Sequence, residues 1–124
     1  MKITSFDPII STKDADGVIK IFEDLGFERK HAPVTAVEQG EVHSYRLKHP
    51  EGYHVDVAAT LLDRKQDAML IRMNVDDFEE AYNILVAHGF KNTRGDSTID
   101  TKSATAATMV SPSGFCIALV KHIK

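Results

Sequence analysis

Residues 13–27, KDADGVIKIFEDLGF, are echoed at 76–90 by DDFEEAYNILVAHGF. Asp14 and Asp77 open the two copies, and Gly26-Phe27 and Gly89-Phe90 close them. After a similar gap each copy is followed by a Pro-X-Gly turn and an apolar run. These are Pro50-Glu51-Gly52 before Tyr53–Ala59, and Pro112-Ser113-Gly114 before Phe115–Val120. The offset is 63 residues at Asp14/Asp77 and Gly26/Gly89, and 62 at Pro50/Pro112 and Gly52/Gly114. A repeat that holds its spacing over half the chain marks a duplicated supersecondary unit.

Within the first copy, Val18, Ile21, Phe22 and Leu25 fall at i, i+3, i+4 and i+7, one face of a helix. Asp14 and Asp16 stand where the helix dipole favours negative charge, and Gly26 is placed to end the helix in a left-handed conformation. Ahead of it, Ile3–Thr12 reads as a strand, with Pro8 pointing to an edge or bulge because proline cannot donate to a ladder. Behind it, Val34–Val37 and Val42–Lys48 read as strands, and Tyr53–Leu62 alternates: Tyr53, Val55 and Val57 on one side, His54, Asp56 and Ala58 on the other. The second copy repeats the order. Ala68–Val75 is a strand, Asp76-x-x-Glu79 resembles a capping box, and Phe78, Ala81, Tyr82 and Leu85 form the helix face. Asn92–Ser103 is a polar loop with a short strand at one side, and Ala104–Val110 and Phe115–His122 are the last strands. The chain therefore divides into unit one (1–62), a charged linker (63–67) and unit two (68–124), within a single domain of 124 residues.

A net charge of -3 with no basic block gives no electrostatic reason to expect nucleic acid or a membrane as partner. No apolar run approaches the roughly 20 residues of a membrane-spanning helix. Met1-Lys2-Ile3 runs straight into a strand, so no leader is expected. The single cysteine, Cys116, excludes an internal disulfide and fits a reducing compartment, the cytoplasm. There is no Gly-rich phosphate loop, Cys-x-x-Cys, His-Glu-x-x-His or Gly-x-Ser-x-Gly.

With two βαβββ units established, the chain resembles the vicinal oxygen chelate superfamily, which takes in glyoxalase I, extradiol dioxygenases, fosfomycin-modifying enzymes and bleomycin resistance proteins. The matching residues are Leu25-Gly26-Phe27-Glu28, preceded by Phe22-Glu23-Asp24, and the run Pro112-Ser113-Gly114-Phe115-Cys116-Ile117-Ala118-Leu119-Val120. The family's usual forms are an aromatic pair ahead of Leu-Gly-Phe, and Pro-Asp-Gly-Asn-x-Ile-Glu-Leu. The resemblance covers essentially the whole chain. It implies an α+β fold in which two tandem βαβββ units form a curved mixed sheet around a concave cavity, with the helices on the convex side. It also implies a homodimer, side by side or with exchanged units, and a divalent metal held in the cavity by side chains from the first and fourth strands of each unit.

Carried over one at a time, those ligand positions fall on Asp7 and Asp56 in the first unit and on Leu70 and Ala118 in the second. Two are carboxylates and two have no donor atom, and Ala118 stands where the resemblance expects a carboxylate. Asp7 and Asp56, helped by His54 or His43, are two legs of an atypical metal site, or else Asp7 is a surface residue before a proline and Asp56 pairs with an arginine. Arg72 shares the strand face of Leu70, and Arg46 is a further candidate whose face the sequence leaves open. A cavity holding Asp7, His54, Asp56 and Arg72 suits a polar or anionic ligand, while an Arg72–Asp56 ion pair would fill it instead. His54, two residues from Asp56, is the candidate general base, or a structural histidine. Cys116 shares the face of Ala118 and is either a reactive thiol or a small buried hydrophobe. Tyr45 and Met109 read as core or cavity lining, and His31, His49, His88 and His122 as solvated.

Three functions follow. The first is a glyoxalase/bleomycin-resistance-like protein that binds a small molecule in the cavity without the usual metal or any other cofactor. The second is a metal-dependent lyase or isomerase of glyoxalase type with an atypical site. The third is a non-catalytic protein-interaction module.

Overall fold

The order of elements in the computed structural model is a strand β1 (Ile3–Thr12), helix α1 (Ala15–Asp24), and strands β2 (Glu28–His31), β3 (Val34–Val37), β4 (Gly40–Lys48) and β5 (His54–Ala59). The order then repeats as β6 (Ala68–Val75), α2 (Phe78–Ala87), β7 (Lys91–Asn92), β8 (Ile99–Asp100), β9 (Ala104–Val110) and β10 (Cys116–His122). The structure describes residues 1–31, 34–37, 40–59 and 66–122, by backbone alone at 31, 34–37 and 40–43. Most of the expected linker, 63–65, lies outside the described residues. The contacts form two compact units, Asp7–Met69 and Met1–Phe6 with Leu70–Lys124, so β1 is shared between them. No helix of the described residues is long and apolar enough to cross a membrane.

In the unit Asp7–Met69, β1 runs parallel to β5 from Ile9↔Asp56 to Thr12↔Ala59, just past Pro8. β5 is antiparallel to β4, with Arg46↔Asp56 in register, and β4 also pairs with β2 and β3 in succession. In the other unit β6 is parallel to β10, β10 is antiparallel to β9, and β9 pairs with β7 and β8. The pairings correspond residue for residue. Ile9↔Asp56 becomes Arg72↔Ala118, Arg46↔Asp56 becomes Thr108↔Ala118, and Arg29↔Leu47 becomes Asn92↔Met109. In both units two short strands follow the helix. The architecture is α+β with mixed strand pairing, as expected.

The ends of the helices explain why the repeat is so even. The Asp14 carboxylate accepts from the Gly17 N–H at 3.0 Å, and Asp77 accepts from the Glu80 N–H at 3.1 Å, so each satisfies an orphan donor of the first turn. The second cap is Asp77 rather than the expected Asp76, whose carboxylate instead accepts from the Lys2 N–H at 2.6 Å. At the other end Gly26 and Gly89 have φ of +103° and +89°. There the Phe27 and Phe90 N–H groups reach back to the Phe22 and Leu85 carbonyls at 2.9 and 3.0 Å. This is a left-handed stop that a Cβ disfavours.

Each helix covers one face of its own unit's strands. In the first unit Ile19 is fully buried against Leu47, Val55 and Val57, with Ile10, Val18, Phe22, Phe27 and Tyr45 around them. The face expected from Val18, Ile21, Phe22 and Leu25 is turned: Ile21 and Leu25 are 57% and 63% exposed. Ala15, Val18, Ile19 and Phe22 have the same helical spacing and form the buried stripe instead. In the second unit the expected face holds. Ala81 is buried with Phe78, Tyr82 and Leu85 packed beside it, against Met73, Val75, Met109, Ile117 and Leu119. Full burial of a side chain such as Leu47, Met109 or Leu119 stabilises by about 1.5–3 kcal/mol.

Candidate functional site

Strand alternation sends the remaining residues to the face away from the helix. Since Val55, Val57 and Leu47 pack toward α1, their neighbours His54, Asp56 and Arg46 point the other way. Ile9 is in register with Asp56, which puts Asp7, two residues earlier on β1, on that face too. The helix-free face of this unit therefore collects Asp7, Arg46, His54 and Asp56.

Their geometry is specific. Asp7 and Asp56 are each only 3% exposed. Arg46 grips Asp56 with both arms: Nε donates to Oδ1 at 3.0 Å and Nη2 donates to Oδ2 at 3.3 Å. The same Nη2 lies 3.8 Å from Asp7 Oδ1. A forked guanidinium–carboxylate contact is among the stronger charge-assisted arrangements. The hydrogen bond to Asp56 raises the Arg46 pKa above its ordinary value; burial opposes this, and the charges of Asp56 and Asp7 add to it. Burial rules out the reading of Asp7 as a surface residue, and the arginine on Asp56 through its fork is Arg46, from the adjacent strand. The register that pairs residues 46 and 56 is what the sequence lacked. His54 is half-buried on the same face, whereas the side chain of His43 lies outside the described residues.

On the helix-free face of the other unit stand Leu70, Arg72 and Asn74 of β6, Thr108 of β9, and Cys116 and Ala118 of β10. Arg72 Nε donates to Asn74 Oδ1 at 3.3 Å, and Asn74 is 4% exposed. The alternation through Leu70 and Arg72 could have pointed to Asn74. Cys116 is half-buried and shares its face with Ala118, as its place in β10 implied, so it lies outside the helix-side core. Tyr45 and Met109 belong to the two cores, and the Arg29 guanidinium sits over the Tyr45 ring, 5.4 Å from its centroid. His49, expected in solvent, is half-buried between Phe27 and Tyr53, and its Nδ1 accepts from the Glu51 N–H at 3.1 Å.

No family model and no curated protein sequence matches the chain. Solved structures do. Methylmalonyl-CoA epimerase from Mycobacterium tuberculosis is 18% identical at a TM-score of 0.73, covering 98% of this chain and 90% of its own. A glyoxalase/bleomycin resistance protein/dioxygenase superfamily member from Vibrio splendidus is 16% identical at 0.65, covering 97% and 99%. Glyoxalase I from Zea mays is 16% identical at 0.69, and this chain spans 43% of its length. The chain has the vicinal oxygen chelate fold. At these identities the likeness is one of backbone, and the chemistry has to be read from this chain's own side chains.

A divalent metal in a vicinal oxygen chelate fold needs a converging set of donors, and the described residues do not supply one. Leu70 and Ala118 have no donor atom, and Asp56 is held at both oxygens by Arg46. Among the described residues no group of three His, Cys, Asp or Glu side chains could hold a metal ion. A magnesium or calcium ion takes oxygens at about 2.0–2.6 Å from several sides, whereas here Arg46 Nη2 already stands 3.3 Å from Asp56 Oδ2 and 3.8 Å from Asp7 Oδ1.

Proposed function

We propose that this protein binds a small molecule on the helix-free side of its strands without the metal of glyoxalase-type enzymes. The observation that carries this reading is the Arg46–Asp56 fork beside Asp7, at two of the four places from which a metal would be held. The groups that the unit Asp7–Met69 offers to a ligand are Asp7, Arg46, His54 and Asp56, all on its helix-free face. A few placed polar groups of this kind are what orient a small molecule in its site. The protein works as a single-domain homodimer in the cytoplasm, as the resemblance and its single cysteine suggest.

A thermal-shift screen of tag-free protein against small carboxylates, phosphates and aromatic drugs tests this. A binder at a hundredfold excess over its Kd stabilises by about 2.7 kcal/mol. We expect at least one class to raise Tm in the wild type, with the shift lost in His54→Ala or Asp56→Asn. A flat response across the panel would remove the small-molecule reading and leave a protein-interaction role.

A further inference from the structure

We propose that Arg46 is a built-in cation that takes the place of a divalent metal at the Asp7–Asp56 carboxylate pair. Two independent observations carry this. The first is geometric. A single nitrogen, Arg46 Nη2, lies 3.3 Å from Asp56 Oδ2 and 3.8 Å from Asp7 Oδ1, so one positive centre is shared by two carboxylates that are almost wholly buried. Burying a carboxylate is costly unless a cation and hydrogen bonds accompany it. A cation beside the pair is therefore what lets both acids stay charged on this face, whatever ligand it serves.

The second observation is in the repeat. The positions equivalent to Asp7, Arg46 and Asp56 are Leu70, Thr108 and Ala118. The register Arg46↔Asp56 is reproduced by Thr108↔Ala118, so the backbone does not impose the difference. In one unit both acids and the arginine are present, and in the other all three are absent. The three charges thus behave as one set, with the guanidinium as its positive member.

A guanidinium and a hard cation make different demands. The fork delivers two hydrogen bonds to one carboxylate in a plane and depends on neither metal supply nor chelators. A divalent ion would contact the same oxygens at about 2.0–2.6 Å, where it cannot coexist with Nη2. Replacing Arg46 by a neutral side chain of similar length should therefore turn a metal-indifferent protein into one stabilised by divalent ions. This inference concerns the cation requirement alone and does not depend on which small molecule binds.

The test uses tag-free Arg46→Met, Arg46→Met with Asp56→Leu, and wild type, melted with and without 1 mM magnesium, manganese or zinc. Wild type should shift by less than about 1 °C with any ion, since nothing binds at the occupied pair. Arg46→Met should melt about 10 °C lower than wild type, the loss expected when one partner of a buried pair is removed. At least one ion should restore about 5 °C or more of that. The double variant should melt well above Arg46→Met and ignore the ions. If Arg46→Met gains nothing from any ion, or folds neither with nor without them while the double variant folds, the proposal is wrong. An ion response in the double variant as large as in Arg46→Met would also overturn it. A stoichiometric metal in wild type would overturn the metal-free function as well, whereas an unresponsive Arg46→Met would leave that function standing.

Discussion

Arg46 and Thr108 occupy the same place in two copies of one backbone pattern, as do Asp56 and Ala118. On the helix side the copies hold the same kind of residue: Leu47 and Met109 are both fully buried, and Val57 and Leu119 likewise. Away from the helices they share almost nothing. The comparison shows that cores, caps and glycine stops maintain the register, while the helix-free faces are at liberty to diverge. The first face became a buried charge cluster and the second a mostly small, neutral surface around Arg72 and Asn74.

The comparison can be broken most sharply in the cores. Leu47→Ala and Met109→Ala should each cost about 2–5 kcal/mol in urea unfolding, because both truncations leave a cavity under a helix. A large cost at one and less than about 1 kcal/mol at the other would mean the copies are not energetically equivalent. The glycine stops should be less sensitive and unequal. A Cβ at Gly89 would lie 2.8 Å from Pro112 Cγ, while one at Gly26 would lie 3.3 Å from His49 Nε2. Gly89→Ala should therefore cost more than Gly26→Ala, which carries mainly the left-handed penalty of about 1–2 kcal/mol. Chemical denaturation of the pair gives the order directly.

The caps should match more closely. Asp14→Ala and Asp77→Ala each remove one acceptor from a first-turn N–H, and each should cost about 1 kcal/mol. Asp76 provides the smallest effect. Its pKa is held below the ordinary 3.8 first by the Lys2 N–H, with the positive chain terminus adding to this. A lowered carboxylate pKa contributes stability above the unfolded value, lost as pH falls through the folded one. Wild type should therefore exceed Asp76→Asn slightly at pH 6, and the gap should close below about pH 3.8.

Much of this fold is legible in the residues. Asp14, Gly26, Gly52 and their counterparts announce a repeat because caps and positive-φ turns demand particular residue types. The strands Ile3–Thr12, Ala68–Val75 and Ala104–Val110 appear where their apolar composition puts them. Spacing alone does not single out the buried stripe of α1, because Ile21 and Leu25 satisfy the same helical period as Ala15, Val18, Ile19 and Phe22; only docking on the strands decides between them. Of the charge cluster, Asp7 and Asp56 are reached by carrying the ligand positions that the resemblance implies along the repeat, but β4 does not alternate cleanly enough to orient Arg46. The contact that defines the cluster joins residues 46 and 56 across a register that only the folded chain supplies. Around the polar stretch 92–103 one short strand is expected and two are found, because β7 and β8 are only two residues each and too short to show a pattern.

The central claim is that the arginine, and not a metal, neutralises the carboxylates of this vicinal oxygen chelate fold. Native mass spectrometry of tag-free wild type, purified without chelators and titrated with nickel, zinc and manganese, tests it most directly. The account predicts a chain mass free of stoichiometric metal at every step. One tightly bound ion per chain, absent from Asp56→Ala, would contradict it.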